Sequence, residues 1–352
     1  MPFELNEKLK SMEPYEPITG SFRIRLDANE SFVPPAQEVM EDIKAAIDAL
    51  HFNRYPDSAA AALCALAAAY YGVNPELVTA GNGSDELISV IMSAFLQKGD
   101  KVLVFTPDFS MYSFYSSIVE SPCIAMPKRD DFTIDIDAAI KLANSEKVRL
   151  IIFSNPCNPT SIGLEKENVK KLIRSVNALV VLDEAYMDFF GQSLVKDAES
   201  YDNLIVLRTL SKAMGMAAVR LGFSIANKTI TGAIRCAKSP YNVNAVSQAI
   251  GCAVLSHQEY IKHAITRINS SRDALFAEMK RMQSEMPEKI VVIAADANFV
   301  YTKAEKAGEL FEALMNAGII VRRFGDYLRI TAGRNLQNIE LIKAMERFYK
   351  QT

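Results

Sequence analysis

The sequence predicts an α/β protein: a mostly parallel central sheet with helices on both faces, followed by a smaller α+β domain at the C-terminal end. Three observations carry this expectation. Between about residues 58 and 240, short continuously apolar runs alternate with stretches of helical periodicity. Such runs read as strands covered on both faces, because a half-exposed strand would alternate apolar and polar residues. After Pro240 that alternation stops, and a long helical pattern leads into closely spaced short runs. Finally, 352 residues exceed what one small core accommodates and suit two unequal domains sharing a cleft.

Element by element, residues 1–30 form no compact unit and read as an arm packed on the smaller domain or on a partner. The larger domain, 31–244, takes strands at 77–80, 101–105, 149–153, 178–182, 204–207 and 221–225. Helical patterns at 84–97, 135–145 and 166–176 separate several of them, the arrangement of a sheet covered by helices. The smaller domain, 245–352, opens on one long helical stretch at 245–284. Strands at 289–294, 298–302, 319–321 and 327–331, with helices at 306–317 and 336–349, complete it.

Composition excludes several classes of function. A hydrophobic fraction of 49% with 23% charged residues is that of a soluble globular protein. The net charge of −3 argues against a nucleic-acid surface, which needs a basic face. No window approaches 18 consecutive apolar residues, so no membrane contact is expected. The opening MPFELNEKLK lacks the apolar stretch of a signal peptide. Five scattered cysteines (Cys64, Cys123, Cys157, Cys236, Cys252) fit a reducing cytoplasm and not a disulfide framework or zinc site. The three histidines, His51, His257 and His263, form no ligand pair, so neither a metal centre nor a Ser-His-Asp enzyme is expected.

Polar residues gather where the strands end, and in an open α/β sheet ligands bind beyond the carboxyl ends of the strands. After 77–80 comes Gly81-Asn82-Gly83-Ser84-Asp85-Glu86, a glycine turn opening a helix, whose backbone N–H groups suit an anion. It is neither GxGxxG nor a P-loop, and taken alone such a turn is more often only a tight turn. After 101–105 comes Thr106-Pro107-Asp108-Phe109, which brings an aromatic ring. After 149–153 comes Ser154-Asn155-Pro156-Cys157-Asn158-Pro159-Thr160, held extended by its prolines: a rigid turn, or a loop presenting the Asn158 amide. Asp183-Glu184-Ala185-Tyr186 ends the run 178–182, where the acid could be a helix cap. Thr209-Leu210-Ser211-Lys212 ends the next, with Arg220 eight residues after the lysine. Pyridoxal phosphate wants this whole set at once: an amine for its aldehyde, an acid for its pyridine nitrogen, donors for its phenolic oxygen and phosphate, and a ring to stack on.

With these residues in order, the chain resembles the fold-type I pyridoxal-phosphate-dependent (class II-like) aminotransferases, and among them most the histidinol-phosphate aminotransferase family. The resemblance runs from Tyr15 to about Thr331 and adds Leu26-Asp27-Ala28-Asn29-Glu30, Arg54-Tyr55-Pro56, Asn298-Phe299-Val300 and Leu328-Arg329-Ile330-Thr331 to the motifs above. It implies pyridoxal 5′-phosphate held by Lys212 as a Schiff base, Asp183 at the pyridine nitrogen, Asn158 and Tyr186 at the phenolic oxygen, and Phe109 on the ring. Gly83, Ser84, Asp85 through its backbone, Thr209, Ser211 and Arg220 form the implied phosphate site. Tyr55 is implied to reach the neighbouring subunit's phosphate in a homodimer. Asn29, Arg322, Arg329 and the partner's Tyr15 are implied to meet substrate, an amino donor that passes its amine to a 2-oxo acid.

The sequence departs from the family pattern at Ser161, where glycine is usual, at Phe109, often a tyrosine, and at Arg334, an extra arginine after the strand. The arm also lacks an arginine near Tyr15. The resemblance implies transfer of the L-histidinol phosphate amine to 2-oxoglutarate, in histidine biosynthesis. An aromatic-amino-acid aminotransferase or a threonine-phosphate decarboxylase on the same scaffold stays open, since these share nearly all the motifs. A non-enzymatic effector sensor of a transcription regulator needs a DNA-binding segment, for which the arm is too short.

Overall fold

The computed structural model describes residues 3–10, 12 and 18–351. The chain begins with α1 (Glu7–Lys10), β1 (Ile24–Arg25), α2 (Gln37–Asp48) and α3 (Ala61–Tyr71). There follow β2 (Val78–Gly81), α4 (Gly83–Phe95), β3 (Val102–Thr106), α5 (Met111–Ile118), β4 (Cys123–Pro127), α6 (Ile136–Ser145) and β5 (Leu150–Ser154). Next come α7 (Lys166–Ser175), β6 (Leu179–Asp183), β7 (Leu204–Thr209), β8 (Gly222–Ala226), α8 (Lys228–Ala237), α9 (Ala245–Ser256) and α10 (Gln258–Glu285). The chain ends with β9 (Ile290–Ala294), β10 (Phe299–Ala304), α11 (Ala307–Asn316), β11 (Ile319–Ile320), β12 (Arg322–Phe324), β13 (Tyr327–Thr331) and α12 (Asn335–Gln351).

Seven strands form the large sheet in the order β2-β8-β7-β6-β5-β3-β4. All run parallel except β8, which is antiparallel to both β2 and β7. The strands β5, β7 and β8 are buried at every position, as their unbroken apolar runs require when helices cover both faces. The exception β8 has a local cause. Only residues 210–221 connect β7 to β8, without an intervening α-helix, and a connection of that kind returns the chain antiparallel. Strand β4 is not among the expected strands. It is the sheet edge, half-exposed along its length and ending in Pro127, and its apolar run Cys123-Ile124-Ala125-Met126 is short.

A four-stranded antiparallel sheet, β12-β13-β10-β9, forms the smaller layer, and β1 of the arm pairs in parallel with β11. Ile24 and Leu26 are thereby buried in the small-domain core. The expected single helix at 245–284 is broken at His257, whose φ of −102° and ψ of 64° are not helical. Helix α9 packs on α2 and α3. In α10 one apolar stripe runs the whole length: Tyr260, Ile261, Ala264 and Ile268 bury against the large core, Leu275, Met279 and Met282 against the small one. This helix is the spine joining the two cores, so the residues expected to open the smaller domain pack on both.

Candidate active site

Strands β2, β3, β5, β6 and β7 all end at one edge of the large sheet, and the 210–221 loop returns to that edge before β8. There a cleft of about 590 Å³ opens, closed on its far side by β12 and β13. Volume alone does not single it out. A groove of about 560 Å³ lies between α10 and α12, but its Arg281 is spent on Glu278, Glu285 and Glu346 at the surface. The cleft at the strand ends brings together Asn29, Ser84, Asp85, Phe109, Asn158, Asp183, Tyr186, Thr209, Ser211, Lys212, Arg220, Arg322 and Arg329. Gly83 sits directly behind Ser84 at the start of α4. Tyr55 lies outside the cleft, 82% exposed and stacked on Tyr241 at 4.6 Å. Tyr15 falls outside the described residues. Arg334 is exposed at the start of α12 and does not line the cleft.

Asp183 ends β6 and is buried. Its Oδ1 accepts the Ala185 N–H at 3.1 Å and its Oδ2 accepts the Tyr112 hydroxyl at 2.8 Å. Burial pushes its carboxyl up to about 7, against the pull of those two donors. An acid in this state gains most from a cationic N–H arriving from the cleft. Tyr112 was missed by the sequence reading. The signal was its spacing: it stands three residues after Phe109, across the first turn of α5, and the two rings meet edge to face at 5.5 Å.

The anion site is built by close approach. Gly83 has φ of +76°, and a Cβ there would come within 2.8 Å of the Arg220 guanidinium. A Cβ on Gly222 would fall 2.5 Å from the Gly83 carbonyl carbon and the Ser84 nitrogen. Glycine at both positions thus lets the start of α4 meet the start of β8. Around this point Thr209 Oγ1 donates to Ser211 Oγ at 3.0 Å, and Arg220 donates to the Asp85 carboxylate at 3.1 Å. The Ser84 and Asp85 amides lie in the first turn of α4, where the helix leaves N–H groups free for an anion.

Lys212 Nζ donates to the Ala28 carbonyl at 3.1 Å and lies 5.7 Å from the centre of the Tyr186 ring. Across the cleft, Arg329 is held by two large-cleft partners, donating to Asn158 Oδ1 and to the Asp27 carbonyl. Its guanidinium also lies 5.5 Å from the Phe299 ring and 5.6 Å from the Phe324 ring. Arg322 and Arg329 are direct cross-strand partners on β12 and β13, so both side chains project from the same face of the small sheet. Two guanidinium groups on one face is an arrangement for a multiply charged anion.

Behind the cleft lies a second group absent from the sequence reading. Ser154 donates to Asp108, while Lys128 pairs with Asp108 at 3.5 Å and donates to Cys157 Sγ at 2.8 Å; the Lys128 and Asp108 side chains are each only 2% exposed. The Asn158 N–H donates to Ser154 Oγ at 3.0 Å, which ties the Asn-Pro loop to this cluster. Ser161 adopts φ of 62°, the left-handed conformation that glycine usually takes. Its hydroxyl repays the strain by accepting the Ala297 N–H at 2.9 Å and donating to the Phe299 carbonyl at 3.0 Å.

The family model for aminotransferases of class I and II matches residues 23–348. The chain belongs to this family. A histidinol-phosphate aminotransferase of Clostridium novyi is 40% identical over 343 residues, 96% of this chain and 95% of the relative. Among solved structures, a histidinol-phosphate aminotransferase of Sinorhizobium meliloti in complex with pyridoxal-5′-phosphate superposes with a TM-score of 0.87 at 22% identity, covering 99% and 98% of the two chains. An L-threonine-O-3-phosphate decarboxylase of Porphyromonas gingivalis reaches 0.80 at 20% identity, covering 93% and 99%. The fold is therefore shared between reactions, and the chemistry must be read from the cleft.

The aminotransferase cleft fits pyridoxal phosphate. It offers a primary amine at Lys212, a buried acid without a cationic partner among the described residues at Asp183, and a glycine-walled approach to the α4 amides beside Arg220. The enzyme is a pyridoxal-phosphate-dependent transaminase by family, and no helix among the described residues is long and apolar enough to cross a membrane.

Proposed function

We propose that this aminotransferase moves the amine of L-histidinol phosphate to 2-oxoglutarate. The observation that carries the reading is the Arg322–Arg329 pair, two guanidinium groups from adjacent strands facing the cleft that contains Lys212. A lone α-carboxylate needs one such fork; a phosphate monoester uses both. The histidinol-phosphate relatives, at 40% identity over nearly the whole chain, support the same donor.

Bound pyridoxal phosphate supplies an aldehyde that takes the donor amine and a ring that draws electrons from the amine-bearing carbon. Asp183 holds the ring N–H, and the opposing charge returns its own carboxyl to the ionised form. Asn158 and Tyr186 donate toward the phenolic oxygen, and Phe109 covers the ring face. The Ser84 and Asp85 amides, Thr209, Ser211 and Arg220 would hold the phosphate, with the Asp85 carboxylate paired to Arg220. Lys212 would hold the cofactor through its aldehyde, and its Nζ, once freed, would be the base placed to move the proton of the donor's amine-bearing carbon. Arg322 and Arg329, with the partner's Tyr15, grip the donor phosphate, and the same pair receives a carboxylate of the incoming 2-oxo acid. Two half-reactions, the first product leaving before the 2-oxo acid enters the same anion site, would give ping-pong kinetics. We place the protein as a homodimer in which Tyr55 completes the neighbouring site, and in the cytoplasm, a reading its five unbridged thiols support.

The test is a donor panel with 2-oxoglutarate: histidinol phosphate, histidinol, phenylalanine and threonine phosphate. Histidinol phosphate is expected to lead, and removing its phosphate to lower kcat/KM more than about a hundredfold. A loss within about tenfold, some 1.4 kcal/mol, overturns the arginine assignment.

A further inference from the structure

Asn29 was expected to meet substrate, but the structure spends its side chain on the protein. It is buried between the two domains, with φ of 55°, a left-handed conformation that asparagine tolerates better than most residues. Its backbone N–H donates to Thr331 Oγ1 at 3.0 Å, its backbone carbonyl accepts from Asn298 Nδ2 at 3.0 Å, its Oδ1 lies 3.1 Å from Thr331 Oγ1, and its Nδ2 lies 3.0 Å from the Tyr186 oxygen.

The directions of these bonds follow from one another. A backbone N–H can only donate, so Thr331 Oγ1 is an acceptor toward Asn29 N. Thr331 is buried and has one hydroxyl hydrogen, for which the Asn29 side chain is the acceptor in reach among the described residues; the opposite amide orientation would strand that hydrogen, so it goes to Asn29. That end of the amide must then be the oxygen, which leaves the NH2 end facing Tyr186. An NH2 group cannot accept, so the Tyr186 oxygen is the acceptor and its own hydrogen is released from this contact. Among the described residues that hydrogen has no acceptor, and Tyr186 lines the cleft beside Lys212.

We propose that Asn29 and Thr331 are positioning residues that orient the Tyr186 hydroxyl, so that its hydrogen points into the cleft at the phenolic oxygen of pyridoxal phosphate. This rests on the cofactor reading above. It makes the direction of a hydrogen bond in the large-domain site depend on a threonine of the small-domain strand β13.

Two replacements separate orientation from packing. Thr331→Val keeps the volume and removes the hydroxyl; Thr331→Ser removes a methyl group and restores the hydroxyl. Apoenzyme is titrated with pyridoxal phosphate, and the visible absorbance of each holoenzyme is followed against pH without substrate. Thr331→Val is expected to bind pyridoxal phosphate about three- to tenfold more weakly, the size of one lost hydrogen bond. Its absorbance midpoint should move to higher pH, because a ring oxygen with one donor fewer keeps more charge and holds the proton on the Lys212 nitrogen. Thr331→Ser should lie within about twofold of wild type on both measures.

Wild-type binding and titration in Thr331→Val overturns the inference while leaving the cofactor reading intact. So does a ranking in which Thr331→Ser is the weaker binder, which is the signature of packing. Wild-type apoenzyme that takes up no pyridoxal phosphate overturns the cofactor reading itself. Thermal midpoints report whether each variant folds; if Thr331→Val does not, Asn29→Asp carries the test. Aspartate tolerates the left-handed backbone, and its carboxylate would draw the Tyr186 hydrogen out of the cleft. Weakened binding of pyridoxal phosphate is then expected, and wild-type affinity overturns the inference.

Discussion

At the scale of single residues, Asp183 shows how one position serves cofactor chemistry at a cost to the empty protein. It has two neutral donors, Tyr112 and the Ala185 amide, and burial holds its carboxyl up to about 7. Unfolded, the same carboxyl titrates near about 4. The folded apoprotein therefore holds a proton on this carboxyl between those values, so its contribution to stability is fully present below about pH 4 and is lost as pH rises toward 7. Relative to Asp183→Asn, apo wild type should lose on the order of 1 kcal/mol per pH unit across that window, read as a falling difference in thermal midpoint. Parallel curves for the two proteins would remove Asp183 as the cause. In the loaded enzyme the effect reverses in value: Asp183→Asn removes the charge opposite the ring N–H and should slow turnover at least about tenfold. Turnover close to wild type would leave the residue a structural role only.

At the scale of elements, the loop after β5 is anchored at both ends. One anchor is the buried Ser154–Asp108–Lys128 group, and the other is Ser161, stitched to the chain entering β10. The Asp296 N–H also donates to the Ser161 carbonyl at 3.1 Å, and the Gly163 N–H to Asp296 Oδ2 at 2.9 Å. The loop that presents Asn158 is thus tied to the sheet that presents Arg329, and those two side chains touch. Ser161→Ala strands a buried N–H and carbonyl while keeping the left-handed backbone, and should cost about 1–3 kcal/mol of stability in a denaturant titration. Ser161→Gly loses the same bonds but accepts φ of 62° without strain, so its loss should be the smaller. Equal stability of all three proteins would mean the stitch contributes nothing. A comparable anchor lies deeper, where buried Arg208 pairs with Glu184 at 3.0 Å and with Asp188, one and five residues beyond Asp183.

At the scale of the whole molecule, the proposed function has a second copy of the chain complete the site. Tyr55 is exposed, stacked on the half-exposed Tyr241 and outside the cleft of its own chain, the placement a residue needs to serve another copy. Mixing Tyr55→Phe with Lys212→Ala subunits tests this, since a hybrid dimer would contain one site with both residues intact. If each variant alone is severely impaired, the hybrids should recover about half of the wild-type activity per dimer. Verified hybrids with no recovered activity would confine Tyr55 to its own chain.

The sequence by itself determined the layered architecture, because a strand buried on both faces must be apolar throughout and a helix covering it must be amphipathic. It also determined where chemistry collects: Asn158, Asp183 and Lys212 each stand at or just beyond the end of a strand, and strands of a parallel sheet end at one edge, whereas Arg220 reaches that edge only because β8 runs antiparallel. Tertiary structure alone decided what those residues do to each other. The apolar run of the edge strand β4 is only four residues before Pro127, too short to declare a strand by itself, and the break at His257 lies within a pattern that reads as one helix. Tyr112 became a partner of Asp183, and Asn29 a partner of Tyr186 and Thr331, through contacts spanning 71, 157 and 302 residues. Periodicity reports which side of an element is buried and is blind to what waits there. The direction of a hydrogen bond depends on which donors and acceptors are already taken, and that is settled only when distant segments meet.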